Sequence, residues 1–246
     1  MEQGAYAAEL LAGLFYVIAG ARLIRLSRRT GEAPERLLGL SFVLTGVAYV
    51  GWVLPYDVPM GPMAEPSDFA AWIVYSIGCV PYLLFIRVVF RPGPGWPQWL
   101  VIGSVAALAL SAAVLTQSGD RYPGLDNPFF WIQWLGYTTA CVWFAVEAVL
   151  CRRNAVRRAR IGLADPIIVN RYLLLVVFGG FQVLACLTDI LMAMDFAATH
   201  AASGFADLLV GGSELAGIAT LWLAFFPPKA YLDWVIGSRQ TADVVA

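Results

Sequence analysis

Three carboxyl groups lie well inside apolar segments of this 246-residue chain: Glu147, Asp189 and Glu214. An ionisable side chain held in hydrocarbon is costly unless it is paired or hydrated, so these positions are where binding or proton chemistry would reside. Glu147 stands one turn from Cys151, and the neighbouring Arg152 and Arg153 predict a structural ion pair. Gln182 and Asp189 are separated by about two helical turns and share a face, and the same holds for Asp207 and Glu214 with Gly211 between them. If their two segments are neighbours, Gln182, Asp189, Asp207, Ser213 and Glu214 form one surface in the outer half of the membrane, flanked by Gly179, Gly180, Gly211, Gly212 and Gly217. Small residues of that kind let backbones approach closely. No in-span Lys or Arg neutralises the acids on that half. Two roles remain open: carboxyl groups hydrogen-bonded to Gln182, Thr188 or Ser213 for packing, or a pocket open to the outside for a cation, a proton or a small polar ligand. A catalytic acid is a third, weaker alternative.

Several chemistries lack their residues. The single histidine, His200, falls in an outer connection, so His-ligated haem and multi-His zinc sites have no ligands. A retinal Schiff base needs a lysine within the last span, and the only lysine, Lys229, follows Pro227 and Pro228. No Gly-x-Ser-x-Gly occurs, and Ser213 has no in-span His as base. No catalytic residue, metal or cofactor is assigned.

The elements that position these side chains follow from composition. With 60% hydrophobic and 13% charged residues, the chain departs from the apolar share of about half found in soluble domains. Apolar segments run through about 6–26, 37–54, 69–90, 97–116, 128–151, 167–194 and 205–226, each near the about 20 residues a membrane helix needs. The expected fold is an all-α integral membrane protein, a seven-transmembrane helix bundle forming one membrane domain over 1–246. Trp and Tyr gather at the segment ends (Trp52, Tyr56, Trp72, Trp96, Trp99, Tyr122, Trp131, Trp134), as interfacial anchors do. The cysteines lie within spans or at the cytoplasmic end of one, so no disulfide is expected.

Fifteen of the sixteen Lys and Arg residues fall on alternate connections (5 + 2 + 6 + 2 against Arg121 alone). Short cytoplasmic loops retain such residues, which predicts an outer N-terminus and a cytoplasmic C-terminus. Fifteen Arg against one Lys, with abundant Ala, points to a GC-rich bacterial genome and an inner membrane. After Pro227 and Pro228, Tyr231, Leu232, Trp234, Val235 and Ile236 alternate with Lys229, Asp233 and Arg239, which predicts a short interfacial helix over about 229–238. Seven spans, an outer N-terminus and this helix resemble the layout of G-protein-coupled receptors, and Pro228 to Tyr231 resembles part of their Asn-Pro-x-x-Tyr element. Pro227 stands in place of the Asn, Phe85 to Val88 lacks the acidic-Arg-Tyr triplet, and the sixth span has no Trp-x-Pro. The resemblance is one of layout and implies no particular ligand.

The expected function is therefore a receptor-like sensor. Its pocket lies between the sixth and seventh spans, and Arg152, Arg153, Arg157, Arg158 and Arg160 meet lipid or a cytoplasmic signalling protein. A small transporter or channel subunit using the intramembrane carboxyls is the alternative, and an accessory subunit beside other membrane subunits is a further one. Membrane lipids are expected partners, and nucleic acid is not.

Overall fold

The structure is a computed structural model describing the backbone of residues 2–57, 64–118, 125–199 and 204–236, with side chains described over about 7–51, 69–114, 125–194 and 205–236 apart from position 207. Seven long helices occupy most of these residues: α1 (Glu2–Thr30), α2 (Ala33–Asp57), α3 (Ala64–Phe90), α4 (Trp96–Ser118), α5 (Pro128–Arg160), α6 (Pro166–Thr199) and α7 (Gly204–Phe225). No strand occurs among the described residues. All but α2 contain a stretch long and apolar enough to cross a membrane; the described side chains of α2 stop at Gly51 and include Glu35 and Arg36 in its first turns. The chain is an α-helical membrane protein.

Local chemistry explains the boundaries. Asn127 caps α5 by accepting from the Phe129 amide at 2.9 Å, ahead of Pro128 at the first helical position. Asp165 serves α6 in the same way through the Ile167 amide at 2.7 Å, ahead of Pro166. The α1–α2 connection is only Gly31 and Glu32; Gly31 takes φ +78°, and the Ser27 hydroxyl closes the turn on the Glu32 carbonyl at 2.8 Å. In α3, Pro81 lacks an N–H, which frees the Ile77 carbonyl from its helical donor.

Helices α1, α2, α3, α5, α6 and α7 form a closed ring in that order, with α7 returning to α1; α4 packs outside it against α3 and α5. The tightest joint is between α1 and α2, where Gly13 and Gly20 face Gly46 and Gly39. A Cβ on Gly46 would lie 2.5 Å from the Gly13 carbonyl oxygen, and one on Gly20 would lie 2.6 Å from that of Gly39. Among the glycines expected beside the carboxyls, Gly179 meets Ala145 of α5 and Gly211 meets the Glu9 backbone of α1, whereas Gly180 and Gly212 face open space. Helix α7 is thus wedged against α1 as closely as against α6. The core is aromatic and aliphatic, with Tyr16, Leu23, Leu83, Ile86, Phe144, Phe178, Ile218 and Leu221 almost fully enclosed.

Two expectations about the inner connections are corrected. Helix α5 does not end near 151 but continues to Arg160, so Arg152, Arg153, Arg157, Arg158 and Arg160 project from a helix instead of a loop. Helix α1 likewise continues past 26 to Thr30, carrying Arg28 and Arg29 in its last turn. The cause is the arginine run itself, whose long unbranched side chains favour helix and lie beside unsatisfied carbonyls of a helix C-terminus. The segment after Pro227 and Pro228 is helical over 229–236, with Trp234 exposed and Val235 buried; positions 237 and 238 lie outside the described residues. Asn170 donates to the Tyr231 hydroxyl at 2.8 Å, tying this helix to the start of α6.

Candidate functional site

Glu214 lies halfway along α7, and its carboxyl is enclosed (5% exposed). Two donors from other helices converge on its Oε2: the Tyr16 hydroxyl of α1, and the Gln182 side-chain amide of α6 at 2.8 Å. Gln182 also donates to the Tyr16 oxygen at 2.8 Å, closing a triangle across three helices. Tyr49 of α2 lies beside the same carboxyl. The Gln182 amide can only donate to Glu214, whereas the Tyr16 hydroxyl can donate or accept.

Beside this cluster lies a cavity at the centre of the ring, so the expected pocket between α6 and α7 alone is corrected: all six ring helices line it. Helix α2 contributes Ser41, Phe42 and Thr45, α3 contributes Tyr75, Cys79 and Tyr82, and α5 contributes Tyr137, Ala140 and Cys141, facing Tyr16, Phe178, Gln182 and Glu214. The cavity gives about 30 Å³ to the centre of a water-sized sphere. About 10–15 Å³ suffices for one water, whereas pockets for organic ligands span roughly 300 Å³ or more. The cavity is thus of a size for waters or a small ion.

Outward of the cavity, the Tyr137 hydroxyl donates to Asp189 of α6 at 2.7 Å, and Tyr75 meets the Tyr137 ring edge-on at 5.9 Å. Asp189 thus reaches the cavity through Tyr137, not by joining Gln182. Tyr49 lies near Glu214, Asp189 and Glu9, so these carboxyls gather toward one end of the ring. Inward, an aromatic layer closes the cavity: Phe144 packs on Phe178 at 5.4 Å and on Tyr82 at 5.7 Å, with Phe42, Phe85 and Phe90 around them.

The other expected site residues are dispersed. The Ser213 hydroxyl is turned into its own helix, donating to the Val210 carbonyl at 2.9 Å, and Thr188 does the same to Leu184. The Asp207 side chain lies outside the described residues. Arg153, Arg157, Arg158 and Arg160 are exposed at the C-terminal end of α5, while Arg152 is partly covered. Glu147 pairs with neither Arg152 nor Arg153, correcting that expectation. Arg91, just after α3, reaches it at 2.7 Å, and Trp143 Nε1 donates to it at 3.2 Å. The hydrogen bond to Glu147 holds the Arg91 guanidinium above its ordinary value. This pair pins α3 to α5 below the aromatic layer, a structural role. Arg91→Gln should lower Tm by a few degrees, Glu147→Gln should do the same, and the double variant should cost no more than the worse single one. Additive losses in a thermal-melt cycle would contradict a direct pair.

Reasoning from sequence missed the tyrosines. Tyr16, Tyr49, Tyr75, Tyr82 and Tyr137 lie within helices, away from the segment ends where membrane Tyr normally anchors. That displacement was the available signal, since a buried phenol needs a hydrogen-bond partner. Comparison of the chain with protein-family models, with curated proteins and with solved structures finds no match.

Proposed function

We propose that the chain is a seven-span membrane sensor, with its N-terminus outside and its C-terminus in the cytoplasm, whose input is the Glu214 cavity and whose output leaves through the basic inner helix ends. The observation that carries this is the double coupling of α1 to α7. At mid-bundle Tyr16 holds Glu214. Toward the inner end Arg22 lies 4.8 Å from the Trp222 ring and 4.6 Å from the Phe226 ring, with Phe15 stacked on Trp222 at 5.2 Å. A change in what neutralises Glu214 alters the α1–α7–α6 triangle, and the rigid α1–α7 pair carries the change to the cytoplasmic side. Only differential interaction at the input can shift such an equilibrium, and a carboxylate that is either neutralised or not supplies it.

In this topology α2 also crosses the membrane and brings the spans to seven, supported by its apolar 37–54 stretch and its position in the ring between α1 and α3. The 15 to 1 distribution of Lys and Arg supports the orientation, and the Arg-rich, Ala-rich composition supports a bacterial inner membrane. Arg153, Arg157, Arg158 and Arg160, exposed on the α5 extension, suit an acidic surface on a cytoplasmic signalling protein or anionic lipid. The aromatic layer beneath the cavity favours a sensor over a conduit.

A transporter using the same carboxyls is the competing reading, favoured by the acidic outer half, and an accessory subunit of a larger complex is a third. Reconstitution of the protein alone in vesicles separates the first two. The expected result is no proton or sodium flux, with replacement of Arg153, Arg157 and Arg158 by Gln blocking output in cells while the Glu214 site is kept. Flux that disappears in Glu214→Gln would make the protein a transporter. Reporter fusions check orientation: a C-terminal fusion active only outside the cytoplasm would reverse it.

A further inference from the structure

We propose that the cavity between Glu214 and Tyr82 binds a sodium-sized monovalent cation. This rests on the cavity being the input of the sensor. Three independent features converge there. First, Glu214 is enclosed with donors as its neighbours, and no Lys or Arg among the described residues pairs with it. An uncompensated carboxylate in a low-dielectric interior is costly, so a positive charge belongs beside it. Second, the Tyr82 hydroxyl lines the same cavity, is buried, and makes no hydrogen bond. An orphaned buried hydroxyl loses its hydration without replacement, and an oxygen-seeking ion restores a partner. Third, the space admits one or two water-sized bodies, and Ser41, Thr45, Tyr75 and Tyr137 are further hydroxyl-bearing residues on its wall. Oxygen donors select hard cations.

Charge and size choose among them. One carboxylate enters the cavity, since Asp189 is held outside by Tyr137. Divalent ions are usually held by several carboxylates or by many oxygen ligands. The thiols of Cys79 and Cys141 on the wall are poor partners for hard ions and do not complete a metal-ligating cluster.

The test is binding of radioactive sodium to the full-length protein in nanodiscs, alongside thermal melts in sodium chloride and in choline chloride. The expected result is saturable binding of one sodium per chain and a Tm that rises with sodium but not with choline, because a ligand held only by the folded state stabilises it. Glu214→Gln should abolish both effects. Tyr82→Phe keeps the ring and removes only the orphaned oxygen, and should weaken sodium binding by about tenfold, the loss of one ligand; it serves as the test if Glu214→Gln does not fold. Equal melts in sodium and choline with no bound sodium would overturn the proposal. So would a melt that depends on pH through Glu214 while ignoring sodium, since the neutralising species is then a proton. Sodium bound without any movement of the inner helix ends supports the cation site and removes the sensor, so the two claims fail separately.

Discussion

Glu214→Ala is expected to destabilise the protein by about 2–4 kcal/mol, because it strands the Tyr16 hydroxyl and the Gln182 amide in a buried site and leaves a void beside the cavity. Glu214→Gln has nearly the same shape and keeps one acceptor oxygen, so it should retain most of that stability while losing all response to an outside stimulus. Thermal melts read the first effect and a cellular output assay the second. The separation matters more than either magnitude. A packing carboxyl would give stability losses in both variants with response retained, and the input site would have to be sought elsewhere.

The second large effect concerns the joint that fixes α1 in the ring. Gly46→Ala should cost about 1–3 kcal/mol, since its Cβ would lie 2.5 Å from the Gly13 carbonyl oxygen and 2.9 Å from the Val17 amide nitrogen. Both are backbone atoms, so the two helices must separate to admit it. Gly20→Ala should behave alike, with the Gly39 oxygen at 2.6 Å and the Val43 amide at 2.8 Å. Gly180→Ala, whose Cβ meets nothing within 4 Å, is the control and should leave the melt unchanged. Separating α1 from α2 also moves Tyr16, so the two damaging variants should weaken the Glu214 site from a distance. Unchanged melts in both would mean that α1 and α2 do not pack this closely.

Much of the architecture was legible because the bilayer imposes one strong rule. A spanning segment must satisfy its own backbone, and only a helix of apolar residues does so. Pro128 and Pro166 open α5 and α6 for a local reason, the missing N–H that a first helical position does not need. The inner ends were less legible. The α5 extension to Arg160 follows from helix propensity and C-terminal electrostatics, which a hydropathy pattern does not register. Gln182 and Glu214 were placed on one surface with Asp189, Asp207 and Ser213 because α6 and α7 adjoin in sequence; the first two meet, while Ser213 turns into its own helix. Tyr16, almost two hundred positions away, was not, since ring closure between α1 and α7 is a tertiary fact. Gly13 and Gly20 against Gly39 and Gly46 repeat at sevenfold spacing, a signal that was present but overlooked in favour of glycines near the acids. Glu147 was assigned its ion pair but the wrong partner, because Arg91 reaches it from another helix instead of from the next turn.

The central claim is that the state of Glu214 governs the inner ends of α1 and α7, and one distance tests it. Spin labels at Arg28→Cys and Lys229→Cys, both exposed positions, in a Cys151→Ser background, report the separation between the end of α1 and the segment that follows α7 in oriented vesicles. The account predicts a shifted distance distribution when the outer solution changes between sodium and choline or between neutral and acidic pH, and a fixed distribution under all these conditions in Glu214→Gln. One unchanging distribution for the wild-type protein in every outer solution would contradict it.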